Sequence, residues 1–76
     1  MKTDELEYEW GCMRKQELAL LYAPDLTPHA AVNRLMDWVR RNPNLCSELE
    51  KSGYRKTAKM LSARQVRLIV YFLGEP

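Results

Sequence analysis

The positions of Pro24, Pro28 and Pro43 decide where helices can lie in this chain. Proline lacks a backbone N–H and its ring clashes with the preceding turn, so it ends a helix or sits in its first turn. Pro24 therefore closes a first helix over residues 14–22, where Leu18, Leu21 and Tyr22 give an apolar stripe with Ala19 beside it. Thr27-Pro28 opens a second: the threonine hydroxyl can accept an early backbone N–H, and the proline loses nothing at the first helical position. That helix is predicted over residues 28–41, with Ala31, Leu35, Trp38 and Val39 on one buried face and His29, Asn33, Asp37, Arg40 and Arg41 opposite. Asn42-Pro43 terminates it.

A short third helix is expected over residues 45–52, with Leu45 and Leu49 inward and Gly53 as the residue that turns the chain out. Residues 54–61 fit a miniature wing-like hairpin around Thr57-Ala58. Ser62 and Gln65 have capping-box spacing, and a fourth helix follows with Val66, Ile69, Val70 and Leu73 as its stripe, stopped by Gly74. Ahead of all this, Leu6, Tyr8 and Trp10 alternate with Glu7 and Glu9, the period of a short strand that Gly11 breaks. The expected fold is mainly α: a small helical bundle with a helix-turn-helix-like first pair, and a short β wing or N-terminal strand. It divides into an acidic N-terminal arm, residues 1–10, and a single helical domain, residues 11–76. Leu18, Leu21, Ala31, Leu35, Trp38, Leu49, Val66, Ile69 and Val70 are its predicted core.

Size and composition limit what such a domain can do. A chain of 76 residues, 46% hydrophobic, supports one core, with a net stability of roughly 3–5 kcal/mol. The longest apolar run, Leu68-Ile69-Val70-Tyr71-Phe72-Leu73, falls well short of the roughly 18 residues of a membrane span. The first residues are acidic and carry no apolar targeting segment, so a cytoplasmic location without membrane attachment is expected. Cys12, Cys46 and His29 are scattered and fit no metal spacing, and the two cysteines read as buried, reduced thiols. His29 has no nucleophile or carboxylate spaced to form a triad with it, and the three glycines make no phosphate loop. No enzyme, cofactor or metal is expected.

Charge is the more informative feature. The chain carries a net +2, but residues 1–10 hold Asp4, Glu5, Glu7 and Glu9 against Lys2 alone, whereas residues 55–67 hold Arg55, Lys56, Lys59, Arg64 and Arg67 with no acid. A basic segment beside a helical hairpin is the footprint of a nucleic-acid binder. Ala19 and Ala31 are small enough to let the first two helices cross closely, which would present the outer face of the second helix to a major groove. The connection is about two residues longer than the usual one, and Ala23 stands where glycine is common. On this reading His29, Asn33 and Arg40 of the second helix contact double-stranded DNA, with Asn33 able to pair with adenine, and Arg55, Lys56, Lys59, Arg64 and Arg67 hold its phosphates. The alternative is a protein-interaction module that self-associates through Leu68, Tyr71 and Phe72, with Tyr71 one turn beyond Arg67 and able to stack on it.

Glu17-Leu18-Ala19-Leu20-Leu21-Tyr22, Leu26-Thr27-Pro28, Trp38, Asn42-Pro43, Gly53-Tyr54, Gln65-Val66, Ile69-Val70 and the closing Leu73-Gly74-Glu75-Pro76 together resemble an uncharacterised family of small proteins of gut Bacteroidales, a domain of unknown function ending in Leu-Gly-Glu-Pro. The resemblance covers residues 10–76 and leaves the acidic arm outside. It implies no catalytic residue and no ligand.

Overall fold

In the computed structural model, which describes residues 11–76, the order is β1 (Met13–Arg14), α1 (Lys15–Tyr22), α2 (Pro28–Arg40), α3 (Pro43–Lys51), β2 (Met60–Leu61) and α4 (Ala63–Leu73). The Leu6–Tyr8–Trp10 alternation lies outside the described residues. Helix starts follow local chemistry. Thr27 Oγ1 accepts the Ala30 N–H at 3.3 Å, with Pro28 in the first turn of α2. Ser62 and Gln65 form the full reciprocal box: the Gln65 N–H donates to Ser62 Oγ at 3.2 Å, and the Ser62 N–H to Gln65 Oε1 at 3.0 Å. Asn42-Pro43 does more than end α2. Asn42 Oδ1 accepts the Leu45 N–H at 3.1 Å and Pro43 takes the first position of α3, so this helix starts two residues earlier than expected.

No hairpin forms around Thr57-Ala58. β2 instead pairs antiparallel with β1, Met13 opposite Leu61 and Arg14 opposite Met60. The long-range partner wins because it carries Leu61 into the core, where it has no exposed surface. Residues 54–59 become a looped segment held at both ends. Gly53, at φ +89°, closes a Schellman turn after α3: its N–H donates to the Glu50 carbonyl at 3.1 Å, and the Tyr54 N–H to that of Leu49 at 3.0 Å. At the far end the Lys15 N–H donates to the Lys59 carbonyl at 2.8 Å.

The core comprises Leu18, Ala19, Ala31, Leu35, Val39, Leu45, Leu49, Leu61, Val66 and Ile69. α1 packs chiefly on α2, and both alanines expected at that crossing are fully buried. Three predicted core residues are corrected. Leu21 is 51% exposed: the inward face of α1 is Lys15, Leu18 and Ala19, and at about 100° per residue Leu21 falls to one side of it. Trp38 is half-buried because Ala31, Leu35 and Val39, at i, i+4 and i+8, form the inward row. Its ring meets Tyr22 edge to face, 5.9 Å between centroids. Val70 is half-buried because α4 turns Gln65, Val66 and Ile69 inward and Val70 lies at the edge of that face.

Gln65 adds a polar tie within this core. It is buried, and its Nε2 donates to Ser52 Oγ at 3.1 Å, joining the end of α3 to the start of α4. Both cysteines are free thiols. Cys46 is half-buried and its Sγ–H donates to the Val39 carbonyl at 3.1 Å, whereas Cys12, expected buried, is exposed beside β1. No helix among the described residues is long and apolar enough to cross a membrane.

Candidate nucleic-acid interface

The Schellman turn at Gly53 brings Tyr54 back against α2, where its hydroxyl donates to Met36 Sδ at 3.0 Å. The side chain of Lys15 then fills the space beneath. It is buried, with 6% of its surface exposed. Its ammonium donates to the Lys56 carbonyl at 3.0 Å and sits 4.9 Å from the centre of the Tyr54 ring. These contacts fix the 54–59 segment alongside α2.

Two adjoining grooves result. The larger, of about 370 Å³, has an apolar floor that includes Val32, Met36 and Leu49, and a polar rim of Asn33, Arg40, Lys56 and Glu50. The smaller, of about 340 Å³, is bounded by Arg14, Lys56, Thr57 and Lys59. Lys15, Val32 and Lys56 belong to both.

The predicted residues thus separate into two sets. Asn33 and Arg40, seven residues apart on one side of α2, share a groove with Lys56, and Lys59 lies in the next. His29 is exposed at the start of α2, outside both groove linings. Arg55 is exposed on the looped segment, where its carbonyl accepts the Ala58 N–H at 3.0 Å. Arg64 and Arg67 are exposed on α4, also outside the linings. Arg40 is partly neutralised, since Asp37 lies 3.6 Å from it and 3.2 Å from Arg41; the pair is exposed and contributes little to stability. Arg14, Lys15 and Tyr54 are not among the DNA contacts expected from the sequence. A signal for Lys15 existed, because it stands three and four residues before Leu18 and Ala19 and so falls on the buried stripe.

The proposed self-association residues lie on α4. Tyr71 is 80% exposed, while Leu68 and Phe72 are half-buried against the core. Tyr71 packs edge to face on Phe72, at 5.2 Å; the ring–cation contact among the described residues is that of Lys15 with Tyr54, not Arg67 with Tyr71. No group of three or more His, Cys, Asp or Glu among the described residues is placed to hold a metal.

The sequence profile of a family described as a domain of unknown function (DUF4248) matches residues 9–76, and the chain belongs to that family. No curated protein and no solved structure matches it.

Proposed function

We propose that this member of the DUF4248 family binds nucleic acid, as a helix-turn-helix variant whose α2 lies against duplex DNA and whose 54–59 segment grips the adjoining backbone. The observation that carries the reading is the joining of two separate stretches of sequence into one face. Asn33 and Arg40 of α2 share a groove with Lys56, and that groove runs into one edged by Lys59 and Arg14. A clustered cationic surface is what phosphate binding requires, and an amide on the same face supplies a group able to pair with adenine. His29 extends this side of α2 toward its start, and Arg55, Arg64 and Arg67 are the outlying phosphate contacts. Such a module acts in the cytoplasm as a regulator or accessory factor. The test is affinity for a random-sequence duplex at about 50 mM and about 200 mM salt. Binding that weakens steeply with salt supports the reading; no binding at the lower concentration ends it.

A second reading rests on Tyr71. A tyrosine 80% exposed, braced by Phe72 and one turn from Leu68, suits contact with a second copy of the chain. A sedimentation measurement that gives a dimer for the native chain and a monomer for Tyr71→Glu supports it, and a monomeric native chain removes it.

A further inference from the structure

Lys15 is an uncommon residue to find buried at a helix start. The residue is buried and occupies the first position of α1, the end at which the helix dipole already presents positive potential. Arg14, immediately before it, offers no side-chain acceptor to the helix and adds a second cation. Glu17 is the acid of that first turn, and its carboxylate accepts the Arg14 N–H at 2.9 Å. Among the described residues, the contacts of the Lys15 ammonium are the Lys56 carbonyl and the Tyr54 ring, neither of which carries a formal negative charge. An ammonium has three donors, so one carbonyl leaves donors over. A buried cation with donors to spare is a group able to receive an anionic ligand.

Lys15, Val32 and Lys56 are common to both grooves, and the smaller groove adds Arg14, Lys59 and Thr57 around them. Among the described residues no carboxylate lines that groove. We propose that it is a phosphate-binding subsite, in which Lys15 is the fixed cation and Lys56, Lys59 and Arg14 close around the oxyanion. The chemistry recognised is a phosphate oxyanion, of a phosphodiester backbone or of a free polyphosphate. As a contact to DNA the subsite rests on the function proposed above; as an oxyanion site it stands alone.

The experiment uses the full chain in three forms: native, Lys15→Met and Lys59→Gln. Each is isotopically labelled and titrated with pyrophosphate at about 50 mM salt while the backbone amides are followed, and the salt dependence of its affinity for duplex DNA is measured. Pyrophosphate is expected to move the amides of residues 14–16 and 56–59 in the native chain, with affinity about tenfold lower in Lys15→Met and reduced in Lys59→Gln. Each variant should also lower the slope of log affinity against log salt by about 0.9. Lys59 is exposed, so its variant carries the test if Lys15→Met does not fold. Pyrophosphate that leaves these amides unmoved, or binds all three proteins equally, overturns the subsite. Amide shifts without any DNA binding keep the subsite and end the DNA reading. DNA binding with an unchanged slope in both variants and no pyrophosphate response does the reverse.

Discussion

The ammonium of Lys15 donates to the main-chain carbonyl of Lys56, 41 residues along the chain, at 3.0 Å. With the Lys15 N–H donating to the Lys59 carbonyl at 2.8 Å, and Tyr54 bonded to Met36, this contact holds the basic looped segment against the first two helices. The position of Lys56 and Lys59 beside α2 follows from these hydrogen bonds.

Lys15 should therefore tolerate loss of its charge better than loss of its stem. Methionine keeps most of the buried volume and removes the cost of burying a cation while forfeiting one hydrogen bond. Lys15→Met is expected to change stability by less than about 1.5 kcal/mol. Lys15→Ala empties the space under Tyr54 and should cost about 2–3 kcal/mol. Urea denaturation of both variants checks the order; equal destabilisation would contradict it.

Tyr22 ties the end of α1 to the chain terminus, its hydroxyl donating to the Gly74 carbonyl. Burial, with a smaller contribution from the charge of Glu75, pushes its pKa up from 10.0 to about 12. The unfolded chain then releases this proton first, so the folded state loses stability as pH rises from about 10 toward 12. A tyrosinate absorbance titration should show a late-titrating component that Tyr22→Phe removes. The same variant should cost about 1 kcal/mol at neutral pH, through the lost hydrogen bond.

Replacing residues along α2 should rank by burial rather than by size. Leu35 has no exposed surface and Trp38 is half-buried. Leu35→Ala is expected to cost about 3–4 kcal/mol, close to the whole stability of a chain this small. Trp38→Ala should cost about 2 kcal/mol. Thermal melts of the two variants give the order directly, and a Trp38 variant less stable than the Leu35 variant would place the buried row of α2 wrongly.

What was legible in the sequence was what is decided locally. Thr27-Pro28, the Ser62–Gln65 box and Gly53 each act within a few residues, and each does in the fold what its chemistry dictates. The same logic explains the phase errors. α1 has only eight residues, and Leu18, Leu21 and Tyr22 fit a stripe about as well as Lys15, Leu18 and Ala19 do. The purely apolar set puts Leu21 inside and leaves Lys15 off the stripe. The pairing of Met13–Arg14 with Met60–Leu61 joins segments nearly fifty residues apart, and two-residue strands carry too little alternation to announce themselves. The grouping of the candidate site followed that pairing. Asn33, Arg40, Lys56 and Lys59 each stand out in the sequence as separate residues, but the non-local contacts of Lys15 and Tyr54 bring the last two alongside α2.

Within that face, two kinds of contact should separate under mutation. Lys59→Ala is expected to weaken binding to every duplex alike and to lower the salt slope by about 0.9, since a phosphate contact carries no sequence information. Asn33→Ala should cost about 1–3 kcal/mol on a preferred site selected from random duplexes and little on unselected DNA. Identical behaviour of the two variants in a fluorescence anisotropy assay would remove the division of roles.

The most direct measurement is a map of the bound surface: amide shifts of the full, labelled chain on addition of random-sequence duplex DNA at about 50 mM salt. Shifts are expected at His29, Asn33 and Arg40 of α2, at Lys56 and Lys59, and at Arg14 and Lys15, with weaker ones at Arg64 and Arg67 and none at Tyr71 and Phe72, near the end of α4. No shifts at all, or shifts confined to Leu68, Tyr71 and Phe72, would contradict the DNA reading.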